Sequence, residues 1–322
     1  MQVPFLVKPS SANQINRKED GKMKERTILT TSNRGLLEDS FPFRLYQKAK
    51  KHGVWNPNDI DFSQDAKDWK TLTAEQQQDI LRLISQFQAG EEAVTLDLLP
   101  LIMTIAKEGR LEEEMFLTTF LFEEAKHTEF FRKVLNAIGE KGDLAHFHSG
   151  TYKTIFYKIL PETMSRLETD QSPEAIAEAA TVYNMFVEGV MAETGYYSFY
   201  QSLEELKLMP GLLKGIELLK RDESRHIAYG TFLLQRLICE HPHLFEVVEA
   251  KMQELAPLAI KINQEGFAGR DVSEFGHELE TTMNFTMKQL SVRMEILSRA
   301  RGKKIEEILP GFRYRDGSSI SF

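Results

Sequence analysis

The chain has 322 residues, of which 42% are hydrophobic, so it can bury a sizeable core. Its 40 Lys and Arg against 48 Asp and Glu leave a formal net charge of −8, which argues against nucleic acids and anionic membrane surfaces as partners. The single cysteine, Cys239, excludes a disulfide framework and fits a reducing, cytoplasmic location. We expect no membrane span, because no run of 18 residues is uninterruptedly apolar.

Helical patterns dominate the predicted elements. Residues 1–40 are polar with scattered proline and glycine, which predicts a poorly ordered N-terminal extension, and residues 41–70 predict a loop with one short helix. Thr73 and Gln76 have the spacing of a capping box, and the helix that follows contains Pro100, which should kink or interrupt it. The later predicted helices cover about 111–138, 151–168, 173–205, 210–240, 244–267 and 276–300.

Strand signals are nearly absent, since the sequence contains no alternating block of β-branched residues. The predicted fold class is therefore all-α, with helices long enough to form a bundle. We expect one helical domain over residues 41–307 and a short, irregular C-terminal tail at 308–322.

Two of the predicted helices carry a Glu-x-x-His sequence, Glu124 with His127 and Glu223 with His226. A spacing of three places both side chains on one helix face, where a carboxylate oxygen and an imidazole nitrogen can reach the same metal ion. One such match is weak evidence, because a chain of this length should contain roughly one by chance. The surroundings of these two matches make them more specific.

Each Glu-x-x-His helix is preceded by a helix with a glutamate inside an apolar stretch. Glu91 precedes Glu124 by 33 residues, and Glu188 precedes Glu223 by 35. A bundle that contributes Glu, Glu-x-x-His, Glu and Glu-x-x-His has the ligand set of the ferritin-like di-metal carboxylate proteins. Four carboxylates and two imidazoles suit iron or manganese, and two divalent ions would cancel the charge of four buried glutamates.

Four motifs resemble those of the ligand-binding oxidases, a family related to the ribonucleotide reductase small subunit. The similarity covers about residues 41–307 and implies a ferritin-like four-helix bundle with additional helices, assembled as a homodimer. The motifs are Gly90–Thr95 (GEEAVT), Glu123–His127 (EEAKH), Tyr183–Gly189 (YNMFVEG) and Asp222–His226 (DESRH).

The resemblance implies one manganese and one iron ion, with Glu124 bridging them. It also implies dioxygen activation at the metals and a long-chain fatty acid bound beside them in an apolar channel. The implied manganese ligands are Glu91, Glu124 and His127, and the implied iron ligands are Glu188, Glu223 and His226.

Oxygen activation in this family makes an ether cross-link between a valine and a tyrosine, and the matching residues are Val94 and Tyr183. Straight α-helix geometry does not derive this pair. Tyr183 precedes Glu188 by five residues, which places it about 140° around an α-helix from that glutamate. The cross-link is therefore expected from the resemblance alone. The alternative interpretation is that Val94 and Tyr183 are ordinary residues of the packed core.

Three further acids adjoin the candidate ligands. Glu92 and Glu123 should leave the site and face water or a neighbouring helix, because one residue along an α-helix turns the side chain by about 100°. Asp222 resembles the acid that orients a metal-bound histidine in the related reductases, and His127 is the histidine it would orient here. Such an acid fixes the imidazole tautomer.

A ribonucleotide reductase small subunit is the nearest alternative. Phe131 occupies the position of the usual radical tyrosine, although some manganese/iron reductases also have phenylalanine there, and Trp55 matches the radical-transfer tryptophan. The tail at 310–322 has one acid and two arginines around Tyr314, unlike an acidic docking tail. An iron-storage protein fits less well because of the extra predicted helices after residue 240. A metal-free helical scaffold fits less well because it would leave four buried glutamates unpaired, which is costly.

Overall fold

The computed structural model describes residues 28–309, and in this part of the chain the all-α prediction is confirmed, with a single isolated bridge between Val272 and Glu278 in place of any strand. None of its helices combines the length and apolarity needed to cross a membrane. The helices are α1 (Phe41–His52), α2 (Ser63–Asp68), α3 (Ala74–Lys107), α4 (Leu111–Ile138), α5 (Gly150–Thr154), α6 (Leu160–Ser165), α7 (Pro173–Ala180), α8 (Glu193–Leu203), α9 (Pro210–Glu240), α10 (Leu244–Gly266), α11 (Leu279–Ser298) and α12 (Ile305–Ile308).

Two π-helical segments join α-helices into longer rods. Ile155–Ile159 connects α5 to α6, and Thr181–Ala192 connects α7 to α8. Short 3₁₀ turns lie at Pro57–Asp59, Trp69–Thr71, Ala145–Phe147 and Arg166–Glu168. The described residues from Leu37 onward form one compact unit.

Local capping chemistry explains where the longer helices begin and end. The Thr73 hydroxyl accepts a hydrogen bond from the Gln76 amide at 3.2 Å, and the Gln76 side chain accepts one from the Thr73 amide at 3.1 Å, so the predicted capping box is present. Ser172 caps α7 through the Ala175 amide. Gly139 ends α4 with φ +81°, a left-handed conformation that glycine adopts without strain.

One prediction about the first 110 residues was wrong, and of the two effects predicted for Pro100, a kink or an interruption, the interruption did not occur. Residues 41–70 contain two helices, because Ser40 caps α1 and its apolar face, including Phe43 and Leu45, is buried. Pro100 does not interrupt α3, which runs through it for 34 residues. Leu98 and Leu101, on either side of the proline, are both fully buried, so core packing outweighs the one lost hydrogen bond.

Four rods form the central bundle: α3, α4, the α7–π–α8 rod and α9. α3 packs along α4, and α9 packs along the π segment of residues 181–192. Gly230 on α9 permits the closest approach, since a Cβ atom there would lie 2.1 Å from the Cβ of Asn184. As a result of this packing, the inner sides of all four rods face one another.

The π segment changes which residues share a face. A π-helix closes its turn with i→i+5 hydrogen bonds, so residues five apart lie nearly above one another. Tyr183 and Glu188 have this spacing inside the segment, and both are buried. The angle of about 140° expected from a straight α-helix is therefore wrong here, and Tyr183 lies on the same inward side as Glu188.

Candidate metal centre

The structure brings together all six side chains that the sequence suggested as metal ligands. They come from all four rods of the bundle, and each is at most 5% exposed. Their nitrogen and oxygen atoms form two overlapping groups, each with its atoms within 4.8 Å of one another. The groups are Glu91, Glu124, His127 and Glu223, and Glu124, Glu188, Glu223 and His226. Glu223 is shared by both groups in the same way as Glu124, which sequence reasoning did not anticipate.

Each histidine is held by a carboxylate on its outer nitrogen. The Nε2 atom of His127 lies 3.3 Å from Oδ2 of Asp222, and Nε2 of His226 lies 2.8 Å from Oε2 of Glu123. A carboxylate accepts hydrogen bonds only, so these contacts place a proton on Nε2 and direct the Nδ1 atoms inward.

The inward-facing atoms fit a pair of metal ions. Nδ1 of His127 lies 3.4 Å from Oε1 of Glu223, and Nδ1 of His226 lies 2.9 Å from Oε1 of Glu124, yet neither nitrogen has a hydrogen-bond partner. Buried oxygens of Glu124, Glu188 and Glu223 also lack partners. Unpaired buried lone pairs that face one another are costly unless a cation lies between them.

The charges around the site lead to the same conclusion. Arg225 Nη2 donates to Asp222 Oδ1 at 2.5 Å and to Glu123 Oε1 at 2.6 Å, and Lys126 Nζ donates to Asp222 Oδ2 at 2.7 Å. These two acids and two bases are all buried and cancel one another's charge. The four inner glutamates remain, and their formal charge of −4 matches two divalent ions.

Burial opposes ionisation of two of the inner carboxylates, Glu91 and Glu188, in the absence of metal. It raises the pKa of Glu91 to about 8 and raises the pKa of Glu188 well above its ordinary value, with the nearby charge of Glu223 adding to the shift. By contrast, hydrogen bonds from His127 and Lys126 outweigh burial and hold the pKa of Asp222 below its ordinary value. Asp222 is therefore held as an anion, whereas Glu91 and Glu188 would release protons when metal binds.

The acids that adjoin the candidate ligands have distinct positions. Asp222 lies beside His127, where the resemblance placed it, and also accepts a hydrogen bond from Trp55 Nε1 at 2.7 Å. Glu92 is exposed, as predicted. Glu123 does face a neighbouring helix, but its hydrogen bond to His226 was missed. The signal was present, because both motifs read acid-Glu-x-base-His, as EEAKH and DESRH.

A cavity of about 140 Å³ reaches the metal-facing side of the four glutamates. Its lining includes the apolar residues Phe87, Phe156, Val187 and Met191 as well as the partly exposed Arg82. An elongated apolar ligand could therefore lie with one end beside the glutamates.

Val94 and Tyr183 meet next to this site. Val94 lines the cavity, and the Tyr183 hydroxyl donates a hydrogen bond to the Val94 carbonyl oxygen at 3.0 Å. Both side chains are buried. Phe131, at the position of the reductase radical tyrosine, is fully buried and stacks on Phe87 with ring centroids 5.1 Å apart.

Comparison with known proteins identifies the family. The sequence model of the ribonucleotide reductase small chain matches residues 38–289. Two solved variants of an R2-like ligand-binding oxidase with aerobically reconstituted Mn/Fe cofactor share 42% identity, cover 86% of this chain and 100% of their own, and superpose with TM-scores of 0.83 and 0.82. A third variant, anaerobically reconstituted, is 45% identical over 82% of this chain and 95% of its own, with a TM-score of 0.79. The chain therefore belongs to the ribonucleotide reductase small-chain family and, within it, to the R2-like ligand-binding oxidases, di-metal oxidoreductases with a ferritin-like helical fold.

Proposed function

We propose that this protein is a manganese/iron oxidase that uses dioxygen for the two-electron oxidation, by hydroxylation or desaturation, of a bound long-chain fatty acid or similar lipid. The observation that carries this proposal is the apolar cavity that reaches the four buried glutamates. When bound, the metal pair supplies the chemistry of dioxygen reduction. The chain supplies a dry pocket, the positions of the ligands and the tuned basicity of two imidazoles.

The proposed ligands divide between two sites with two shared carboxylates. Asp222 and Glu123 would keep the two imidazoles in the tautomer that offers Nδ1 to metal. The proposed manganese ligands are Glu91, Glu124, His127 and Glu223, and the proposed iron ligands are Glu188, Glu223, His226 and Glu124.

The bound lipid provides the first test. We expect protein purified from cells to release about one long-chain fatty acid per chain, measured by mass spectrometry of an organic extract. Gly90→Leu should lower this occupancy at least about tenfold, because a Cβ atom at Gly90 already lies 3.4 Å from the Phe156 ring and the rest of the side chain would fill the cavity.

The matched control for this test is Ala125→Leu, which places the same side chain beside a candidate ligand but on the exposed face of α4. It should leave lipid occupancy unchanged. Metal content should be equal in both variants, so that lipid loss is not a consequence of metal loss. Protein that carries two metals and no lipid would contradict the proposed substrate class.

We also propose the ether cross-link between Val94 and Tyr183. Its formation removes one C–H hydrogen from Val94 and the phenolic hydrogen from Tyr183, and the two electrons pass to dioxygen. After aerobic assembly with manganese and iron, digestion should yield a joined peptide pair lighter than the sum by two hydrogens. Anaerobic assembly and Tyr183→Phe should yield only separate peptides. Separate peptides from aerobically loaded wild-type protein would refute the cross-link.

A homodimer is the proposed assembly. α3 exposes Leu96, Leu99 and Met103, whose spacing of three and four residues forms one apolar stripe, and Phe122 is exposed on α4, which packs along α3. A second copy of the chain could cover these side chains through a twofold interface. Leu99→Glu with Met103→Glu should then shift the sedimentation equilibrium from dimer to monomer, and a dimer unaffected by both changes would argue for a different interface.

A further inference from the structure

Four tyrosines stand out among the largest fully buried side chains, and they differ in what accepts their hydroxyl proton. Tyr152 and Tyr183 donate to backbone carbonyls, at 2.7 and 3.0 Å. Tyr196 donates to Glu223, a candidate metal ligand, at 3.4 Å. Tyr229 donates at 3.0 Å to Oε2 of Glu113, a carboxylate outside both metal groups. A backbone carbonyl cannot take the proton, whereas a free carboxylate can.

Glu113 is suited to accept that proton. It is 4% exposed, and its other oxygen, Oε1, lies 3.6 Å from Arg236 Nε and 3.8 Å from Arg110 Nη1. Burial raises the pKa of Glu113 above its ordinary value in spite of these two arginines. Burial and the neighbouring charge of Glu113 also raise the pKa of Tyr229, so the phenol stays protonated until it is oxidised.

Tyr229 also lies close to the metal centre. It follows His226 by three residues on α9, which is a rise of roughly 4.5 Å along the helix axis. A series of packed rings also connects them: the His226 imidazole stacks on Phe120 with ring centroids 3.6 Å apart, the Phe120 and Phe116 centroids are 6.0 Å apart, and the Phe116 and Tyr229 centroids are 5.2 Å apart. Electron transfer along this packed series of rings needs no movement of the bundle.

We propose that Tyr229 is a redox-active tyrosine of this oxidase, with Glu113 as its proton acceptor. In this step Tyr229 gives one electron to the metal centre after dioxygen has oxidised it, and the phenolic proton moves to Oε2 of Glu113. The product is a neutral tyrosyl radical beside a neutral carboxylic acid. One electron from a reductant and the returning proton restore the starting state. The step does not involve the bound lipid. Tyr229 lies on α9, whereas Phe131, at the position of the usual radical tyrosine, lies on α4.

Electron paramagnetic resonance of freeze-quenched samples tests this proposal. The starting protein is Tyr183→Phe, in which cross-linking cannot consume the oxidising equivalents. After manganese and iron loading and exposure to dioxygen, we expect a radical signal that narrows when ring-deuterated tyrosine is incorporated. Adding Tyr229→Phe should lower the signal at least about tenfold, whereas adding the control Tyr152→Phe should leave it unchanged.

A second variant addresses the proton acceptor. Glu113→Gln can still accept the hydrogen bond from Tyr229 but is a poor base, so the radical yield should fall and the solvent isotope effect on its formation should change. Metal content near two ions per chain must be confirmed in each sample. If Tyr229→Phe fails to load metal, the radical yield of Glu113→Gln tests the proposal instead. A tyrosyl signal that persists in Tyr229→Phe, or the absence of any tyrosyl signal, would overturn the proposal.

Discussion

Glu124→Gln should abolish binding at both metal sites, whereas Glu91→Gln and Glu188→Gln should each abolish one. Glu124 offers an oxygen to both groups, but Glu91 and Glu188 each belong to one group only. An amide of the same shape is a weak ligand, so we expect affinity losses above about 100-fold, beyond the range for an outer acid. Metal analysis by plasma mass spectrometry should give near zero ions per chain for the first variant and near one for the other two.

The stability of the metal-free proteins separates ligand roles from structural roles. Metal-free Glu124→Gln should not be destabilised, because an uncharged amide of the same shape costs less to bury than a carboxylate when no ions are present. Glu92→Gln is the matched control, since Glu92 adjoins Glu91 on α3 but is exposed. Two bound ions in Glu124→Gln, or a lower unfolding free energy of its metal-free form, would count against a shared metal ligand.

Helix boundaries could be predicted from sequence wherever the residues that cap the helix lie close together in the chain. The Thr73–Gln76 capping box, the Ser172 cap before Pro173 and Gly139 each satisfy terminal backbone groups locally, so their effect does not depend on the rest of the fold. Pro100 shows the limit of such local signals. Its effect depended on whether the flanking turns of α3 are buried, which is a property of the bundle.

The candidate ligands were predictable for a similar reason. A Glu-x-x-His spacing fixes two side chains on one helix face, and its repetition at similar distance in both halves implied four converging helices. The position of Tyr183 was not predictable in this way, because no local sequence signal predicts a π-helical segment at residues 181–192. With i→i+5 bonding, Tyr183 and Glu188 share a face, and the Tyr183 hydroxyl reaches the Val94 carbonyl.

The role of Glu123 does not follow from the spacing of the metal ligands alone, because it depends on the pairing of the two motifs. Each histidine is held by the acid of the opposite motif: Asp222 bonds His127, and Glu123 bonds His226. Arg225 joins the two acids. The repeat therefore extends to the outer residues, and the central bundle has an approximate twofold relation between α4 and α9.

This cross-connected arrangement makes Asp222 the residue whose loss should affect both stability and metal binding. Asp222→Ala would remove the buried ion-pair partner of Lys126 and one of the two acids that Arg225 contacts, which should cost about 3–5 kcal/mol of unfolding free energy. His127 would also lose the acceptor that fixes its tautomer, so the affinity of its site for metal should fall about 10–100-fold. Denaturant titration of the metal-free protein and metal competition with a chelator measure the two effects separately.

Two further variants distinguish charge from hydrogen bonding in this network. Asp222→Asn keeps a hydrogen-bond acceptor for His127 but removes the negative charge, so it should recover part of the metal affinity while stability remains low. Lys126→Met in the Asp222→Asn background removes a charge that no longer has its partner, and unfolding free energy should rise again. Glu217→Ala, which breaks an exposed pair with Lys214, should change neither quantity. If Asp222→Ala were as stable as wild type, the buried ion network could not be what holds the two histidines.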